Sequence, residues 1–341
     1  MTKAPHIGTL RAGARATIAD VAGVTVGHCT LDAGDLQTGV TVVLPHGGDL
    51  YREKVPAAAC VINGFGKSVG LVQVDELGVL ETPIALTNTF GVGAVAMAQV
   101  RSACELNEDI GREWPSINPL VFECNDGYLN DLQAFAVEEA HYREALGRCA
   151  KDFARGAVGA GRGMSCFELK GGIGSASRII DIGANAYVVG ALVLANFGRL
   201  PQLTIAGAPV GLQLHAAAQS QMKPEQGSII MLLATDAPLD SRQLRRMAMR
   251  AAAGLARTGS VYGHGSGDIA LAFSTAYTVP HDAAFVTLPP LLPDARLDPL
   301  FQAAADSTEQ AILDALFSAE TVTGCGGHRR LSLTDALKLT P

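Results

Sequence analysis

One glycine-serine pair of this sequence stands where a reactive serine could be made. Gly227 and Ser228 follow the polar segment 219–226 and open the apolar run SIIMLLAT, which is typical of a buried strand. A serine at a chain's N-terminus carries its own base, because the α-amino group titrates near ~8 and can take the hydroxyl proton. A cut between Gly227 and Ser228 would create such a terminus, and glycine leaves the preceding carbonyl open to attack. Gly-Ser pairs also form ordinary turns, so the pair alone leaves both interpretations open.

Two glycine-rich stretches resemble nucleotide-binding loops but favour simpler interpretations. NGFGKS at 63–68 lacks the first glycine of a phosphate loop, since Val61 stands at that position, and a turn is the favoured interpretation. TNTFGVGAVA at 87–96 fits a loosened dinucleotide fingerprint through Gly91, Gly93 and Ala96. Tight packing between a strand and a helix explains the same glycines and is favoured. We therefore expect no nucleotide cofactor.

The sequence gives little support for a metal site or a serine-histidine pair. The eight histidines are dispersed, and Cys325 with His328 is a lone pair of candidate ligands, for which a surface loop is favoured. His264 and Ser266 can share one face of an extended chain. No Gly-x-Ser-x-Gly turn surrounds Ser228 or Ser266, so a conventional triad is disfavoured. We expect neither a metal nor a cofactor.

The composition is that of a well-buried globular protein. Of the 341 residues, 48% are hydrophobic and 17% are charged, and the formal net charge of −7 comes without a basic stripe, which disfavours nucleic acid as a partner. The longest apolar stretch, 186–197, is too short to span a bilayer, and the N-terminus lacks the apolar core of a signal peptide. Seven scattered cysteines indicate reduced thiols, so we expect a cytoplasmic location and no membrane partner.

Strand-like and helical patterns alternate irregularly along the chain, which indicates a layered α+β architecture. Strands are predicted at 24–26, 38–44, 120–124, 186–195, 228–235 and 268–275. Helices are predicted at 92–106, 131–151, 238–257, 298–319 and 332–338. The segment 216–226 is predicted to be an exposed loop that leaves Gly227 and Ser228 exposed at the mouth of a strand. The glycine-rich stretches 156–163 and 171–177 are predicted to have special backbone geometry.

Nine motifs in order give the chain a resemblance to the L-aminopeptidase/D-esterase family, the self-processing serine aminopeptidases of the D-aminopeptidase and β-peptidyl aminopeptidase type. They are ADVAGVTVGH, TGVTVVLP, LTNTFGVG, ECNDGYLND, GAVGAGRGMSC, KGGIGSASR, GALVLANFG, GSIIMLLATDAPL and GHGSGDIALAFSTA. The resemblance implies a four-layer α-β-β-α sandwich, like that of N-terminal nucleophile hydrolases but with different connectivity. It also implies a single domain, 1–341, that cuts itself into chains 1–227 and 228–341, which stay associated. Ser228 would then open a strand because a new chain starts there.

The resemblance assigns catalytic roles to residues near Ser228. Asn196 matches the asparagine whose amide is expected to hold the oxyanion, a task that suits a donor of this kind. Ser266 and Asp268 match a serine and a carboxylate that orient the nucleophile and its proton relay. Because positions two apart on a strand point to one side, both are expected to face Ser228. Many relatives have glutamate in place of Asp268, so the relay geometry is expected to differ here.

The resemblance also implies a site for the substrate's amino group. Glu123 matches the carboxylate expected to bind the free ammonium, since an aminopeptidase selects chains by that end. Asn125 stands where some relatives have an aromatic hydroxyl, and the nearby Tyr128 is a candidate substitute. Residues 87–89 are expected to line the same region. Arg162, where relatives often have a small polar residue, would either pair with an acidic group of the substrate or face solvent.

The leading hypothesis is an enzyme that releases small N-terminal residues from short peptides, amides or esters through an acyl-enzyme. An acyltransferase of the ornithine acetyltransferase type is an alternative, although those transferases use threonine where this chain has Ser228. An uncleaved binding relative is a second alternative, against which the presence of Asn196, Ser266 and Asp268 argues. The resemblance further implies a homo-oligomer, expected to be a tetramer.

Overall fold

Two β-sheets form the inner layers of the fold in the computed structural model, which describes residues 3–218 and 226–339. The smaller sheet has the strand order β1-β2-β5-β6. β5 runs parallel to β6, whereas β1 pairs with β2 and β2 with β5 in antiparallel fashion. Its strands are β1 (Thr25–Leu31), β2 (Thr38–Leu44), β5 (Ile84–Asn88) and β6 (Leu120–Cys124).

The larger sheet carries the candidate nucleophile on a central strand. Its strand order is β13-β3-β12-β11-β10-β9, and β4 pairs with β3 beside this path. β11 runs parallel to β12, whereas the other neighbouring strands of this order pair in antiparallel fashion. Its strands are β3 (Glu53–Gly64), β4 (Val79–Leu80), β9 (Gly172–Ile182), β10 (Asn185–Asn196), β11 (Gln226–Thr235), β12 (Gly265–Ser274) and β13 (Val279–Pro280). Two small hairpins complete the strands, β7 (Ser165–Cys166) with β8 (Leu169–Lys170) and β14 (Val322–Thr323) with β15 (Arg329–Arg330).

Helices cover the outer face of each sheet, which confirms the predicted α-β-β-α sandwich. Helices α2 and α3 pack on the smaller sheet, and α5 and α6 pack on the larger one. The helices are α1 (Leu71–Leu77), α2 (Val92–Leu106), α3 (Glu139–Gly147), α4 (Val210–Ala218), α5 (Ser241–Arg257), α6 (Asp298–Ser318) and α7 (Leu333–Lys338). Among the described residues, no helix is both long enough and apolar enough to cross a membrane.

The continuous apolar run of β11 is explained by burial of both faces of the larger sheet. Ile229, Met231 and Leu233 pack against the α5–α6 layer. Ile230 and Leu232 alternate with them and pack between the two sheets. Since side chains of a strand point alternately to its two faces, a strand covered on both sides needs apolar residues at every position.

The two long strands of the larger sheet that were not predicted, β3 and β9, are rich in small residues. β3 contains the run Ala57 to Ala59, and β9 begins Gly-Ile-Gly-Ser-Ala-Ser, in which all residues but the isoleucine are small types that seldom favour a strand. The helix layer requires these small residues. A Cβ on Gly174 would lie 1.9 Å from the carbonyl oxygen of Ala311 on α6. Close helix-sheet packing therefore overrides the local preference.

The predicted helix over 131–151 is wrong in extent, since α3 covers only Glu139–Gly147. Asp131 instead caps a short 3-10 turn by accepting a hydrogen bond from the Gln133 N–H, and Phe135 ends that turn with a φ of 48°. Helix α5 also begins later than predicted. Its cap is Asp240, whose carboxylate accepts from the Gln243 N–H at 2.7 Å.

Both ends of the loop predicted over 216–226 lie in regular secondary structure. Residues 216–218 form the last turn of α4, and residue 226 is the first of β11. The remainder of the predicted loop, 219–225, lies outside the described residues.

Candidate active site

Ser228 lies on β11 between two strands that each contribute to the site. Its Cα partner on the antiparallel strand β10 is Asn196, and its partner on the parallel strand β12 is Gly267. Ser228 is only 4% exposed, so the prediction of an exposed serine at the strand mouth is wrong. The serine is covered because its side chain leaves the sheet on the same face as Ile230, toward the smaller sheet.

The Ser228 hydroxyl rests against the peptide bond that the sequence predicts to be cut. It donates a hydrogen bond to the carbonyl oxygen of Gly227 at 2.7 Å and accepts one from the Gly267 N–H at 3.3 Å. Only glycine fits at both neighbouring positions. A Cβ on Gly227 would lie 2.2 Å from the Asn196 carbonyl oxygen, and a Cβ on Gly267 would lie 2.7 Å from the Phe65 carbonyl oxygen.

Ser266 and Asp268 form a buried pair beside the strand that carries the nucleophile. The Ser266 hydroxyl donates to Asp268 Oδ1 at 2.6 Å, and both residues are fully buried. The two share a face, as predicted, but the register pairs them with Gly227 and Ile229 rather than with Ser228. Their side chains therefore leave the sheet on the face opposite the Ser228 hydroxyl, which corrects the expectation that both face it. The pair flanks the backbone of the nucleophile instead.

Asn196 shares the face of Ser228 and links the larger sheet to the loop after β6. Its Oδ1 accepts from the Ser165 N–H at 2.8 Å, and its Nδ2 donates to the Asn125 carbonyl oxygen at 2.8 Å. Two hydrogen bonds of opposite polarity fix which end of the amide carries the donor. A side-chain amide has two N–H groups, so the second can be offered to another acceptor beside Ser228.

Glu123 is the second-last residue of β6 in the smaller sheet, and its carboxylate is buried, with 2% of the residue exposed. Its Oε1 accepts from the Lys67 N–H at 2.8 Å, and its Oε2 accepts from the Thr89 hydroxyl at 2.5 Å. The two donors, one on each oxygen, fix the position and orientation of the carboxylate at this end of the sheet.

The segment 63–67 connects the two halves of the site, which the sequence did not reveal, since it indicated only a turn. The Asn63 amide donates to the carbonyl oxygens of Gly263, at 2.9 Å, and of Ser266. A Cβ built on Gly66 would lie 3.7 Å from Glu123 Oε1 and 3.9 Å from Gly267 Cα, so one residue separates the carboxylate from the nucleophile's neighbour. The glycines of the false phosphate-loop match were the available signal, because they indicate close approach of the backbone.

Two other residues that the sequence singled out, Asn125 and Tyr128, make contacts that differ from those expected. Asn125 contributes its backbone carbonyl, while its side-chain Oδ1 accepts from the Gly127 N–H. Tyr128 stacks on His328 at 4.6 Å between ring centroids, with the Arg330 guanidinium on the ring at 3.7 Å. The hypothesis that its hydroxyl replaces that of relatives has no support in these contacts.

Arg162 fits neither of its two expected roles. Its Nε donates to Gln37 Oε1 at 2.7 Å, and its guanidinium pairs with Glu320 at 2.7 Å. With 16% of its side chain exposed, it ties two segments of the protein together.

The fold and this site define a serine peptidase with a fold of the Ntn hydrolase type. Residues 16–330 match the profile of peptidase family S58, and the chain belongs to that family, which confirms the predicted resemblance. It is 40% identical to the beta-peptidyl aminopeptidase BapA of Sphingosinicella microcystinivorans, over 93% of this chain and 85% of that protein.

Two solved structures are similar over nearly the whole chain. The PH0078 protein of Pyrococcus horikoshii OT3 superposes with a TM-score of 0.92 and is 51% identical, covering 98% of this chain and 96% of that one. The L-aminopeptidase D-Ala-esterase/amidase of Ochrobactrum anthropi, described as a variant of the Ntn hydrolase fold, superposes with a TM-score of 0.90. It is 35% identical, with the same two coverages.

Proposed function

We propose that this serine aminopeptidase activates itself by cutting the bond between Gly227 and Ser228, which gives chains 1–227 and 228–341 that stay associated. The observation that carries the proposal is the contact of the Ser228 hydroxyl with the Gly227 carbonyl oxygen at 2.7 Å. The nucleophile is thus already placed against the carbonyl group that it would attack. Pairing of β11 with β10 and β12 would hold the new terminus in place after the cut.

The cut transfers an acyl group from nitrogen to oxygen. Ser228 Oγ attacks the carbonyl carbon of Gly227, the C–N bond breaks, and the hydroxyl proton passes to the nitrogen, which becomes the α-amine. Water then hydrolyses the ester, leaving a carboxylate on Gly227 and restoring the hydroxyl. Gly227 is needed at this position, because the Cβ of any larger residue would lie 2.2 Å from the Asn196 carbonyl oxygen.

The same hydroxyl then acts on substrate. The free α-amine of Ser228 takes the hydroxyl proton as Oγ attacks the substrate carbonyl, and the proton goes on to the leaving amine. Water hydrolyses the acyl-enzyme. Asn196 donates its second N–H to the oxyanion, since its amide is fixed on the face of the nucleophile. Ser266 and Asp268 flank the backbone of Ser228, so they orient the α-amine rather than the hydroxyl.

Glu123 gives the enzyme its requirement for a free amino terminus. Its buried carboxylate, held by Lys67 and Thr89, offers a negative charge to the substrate's ammonium group. The named relatives are a beta-peptidyl aminopeptidase and an L-aminopeptidase D-Ala-esterase/amidase. We infer that this chain likewise releases small N-terminal residues from short peptides, amides or esters.

We also propose that the enzyme is a homo-oligomer, a tetramer as the resemblance implies. The segment 282–290 exposes Phe285 at 91%, Val286 at 41% and Leu288 at 50%, and clustered apolar exposure of this kind marks protein contacts. The proposed location is the cytoplasm. Cys29, Cys60, Cys104, Cys124, Cys149 and Cys325 are free thiols, as is usual in a reducing compartment.

The mass spectrum of purified protein tests the proposal directly. Wild-type protein should give two chains, with terminal sequencing of the smaller one starting at Ser228. Ser228→Ala should give one uncut and inactive chain, because one hydroxyl performs both reactions. The matched control is Ser116→Ala at an exposed position, which should cut and hydrolyse normally. A wild-type chain that stays whole and yet hydrolyses alanine p-nitroanilide would refute the terminal-amine mechanism.

A further inference from the structure

Lys170 is a fully buried lysine whose ammonium group is surrounded by backbone carbonyls. Its Nζ donates to the carbonyl oxygens of Gly161 at 2.9 Å, Met164 at 2.8 Å and Gly171 at 2.9 Å, and the residue is 0% exposed. An ammonium group has three N–H donors, so these three acceptors satisfy it completely. The group thereby joins both ends of the segment 161–171.

That segment folds into the hairpin of β7 and β8, whose two turn residues are under backbone strain. Phe167 has a φ of 51° and Glu168 a φ of 61°, in the left-handed region that favours glycine. The fold compensates by burying Phe167, which packs edge-on against Phe197 at 5.0 Å and donates its N–H to the Phe197 carbonyl oxygen. The hairpin is therefore fastened to the residue that follows Asn196.

The same hairpin supplies the donor that sets the direction of the Asn196 amide. Its first residue, Ser165, gives its N–H to Asn196 Oδ1 at 2.8 Å. With the oxygen held there, the nitrogen end of the amide points toward Asn125 and the face of Ser228. A displaced Ser165 would allow the amide to rotate and carry its donor away from the nucleophile.

We propose that Lys170 is a positioning residue for catalysis, which holds the 161–171 hairpin so that Ser165 fixes the donor of Asn196 on the oxyanion. The inference rests on the proposed role of Asn196 in the reaction. It adds a residue that touches no substrate and acts through two others. Lys170 contributes by geometry, since its reach from β8 to Gly161 and Met164 is what closes the segment on itself.

The surroundings of Lys170 disfavour the charged form of its amine. Burial, and after it the positive charge of Arg162, lowers the pKa of the Lys170 ammonium from 10.5 to about 7. Cys166, Glu320 and Asp126, from three different segments, act in the opposite direction. Because a buried charged group is costly without hydrogen-bond partners, the three carbonyl acceptors are needed to keep the Lys170 ammonium in place.

A double-mutant cycle between Lys170→Met and Asn196→Ala tests the proposal, because methionine keeps the length of the side chain without its donors. Loss of the oxyanion donor in Asn196→Ala should lower kcat about 10²- to 10³-fold. Lys170→Met should lower kcat up to about a hundredfold through misplacement of that donor, with KM changed little. In the double variant, Lys170→Met should lower kcat by less than about twofold relative to Asn196→Ala alone, since the donor that it misplaces is already gone. Each kcat is expressed per cut chain, counted from Ser228 termini.

Lys54→Met is the matched control, because Lys54 also donates to a backbone carbonyl, that of Tyr51 at 2.7 Å, but lies at the far end of β3. It should leave kcat unchanged. Lys170→Gln, which retains two N–H donors, should lose less activity than Lys170→Met. Losses that multiply in the double variant would overturn the proposal. So would failure of both Lys170 variants to fold, which would assign the residue to overall stability. Failure of the wild type to cut or hydrolyse would instead refute the proposed function.

Discussion

Replacing Glu123 with glutamine should remove the preference for a free amino terminus while leaving the site intact. The structure indicates how glutamine fits. Its Oε1 can keep the hydrogen bond from the Lys67 N–H, and its amide nitrogen can donate to the Thr89 hydroxyl, which rotates to accept. The substitution therefore changes charge with little change in shape, and self-cleavage should continue, because that step binds no ammonium.

The expected loss follows from the burial of the carboxylate. With 2% exposure, Glu123 would bind the substrate's ammonium away from bulk water. Hydrogen bonds to charged groups contribute about 1.5–3 kcal/mol. Loss of such a bond in the transition state should lower kcat/KM by about ten- to a hundredfold for free-amine substrates.

The assay compares alanine p-nitroanilide with its N-acetylated form in both proteins. The wild type should strongly prefer the free amine, and Glu123→Gln should discriminate far less. Glu81→Gln is the matched control, since Glu81 is also a buried carboxylate, at 6% exposure, but precedes the opposite end of β5. If Glu123→Gln cuts itself and keeps the wild-type ratio, another group holds the ammonium, and Asp126 would be the next residue to test.

Three further substitutions test separate features of the molecule. Gly227→Ala should slow or abolish the cut, because its Cβ would lie 2.2 Å from the Asn196 carbonyl oxygen; normal processing on a denaturing gel would contradict the proposed geometry. Burial raises the pKa of Asp126 from 3.8 to about 7. Between these values only the unfolded chain releases the proton, so this group lowers stability as pH rises, and Asp126→Asn should flatten the decline in Tm from pH 5 to 8. Unchanged slopes would show that Asp126 ionises alike in both states. Phe285→Asp, at a position 91% exposed, should lower the particle mass from light scattering toward that of one protomer without lowering Tm. An unchanged particle mass would place the contact between protomers elsewhere.

The sequence by itself determined the order of the chemical groups and the overall class of fold. The Gly227-Ser228 pair could be found locally, since its chemistry depends on adjacent residues. The apolar run after it predicted a doubly covered strand correctly, because the requirement for burial on both faces applies to every position of β11. Helix α2 was predicted with the bounds observed.

Tertiary structure alone decided which segments of small residues form strands and which reactive groups come into contact. β3 and β9 form strands because pairing with neighbouring strands and close helix packing outweigh their weak local preference. The parallel register of β11 with β12 places Ser266 and Asp268 on the face opposite the Ser228 hydroxyl. A shift of one residue would reverse that face, and no local pattern sets the register between strands distant in sequence. The contacts of Glu123 with Lys67 and Thr89 likewise join three separate segments. The sequence therefore specified the reactive groups, while long-range pairing fixed their geometry, because hydrogen-bond register is a property of two strands together.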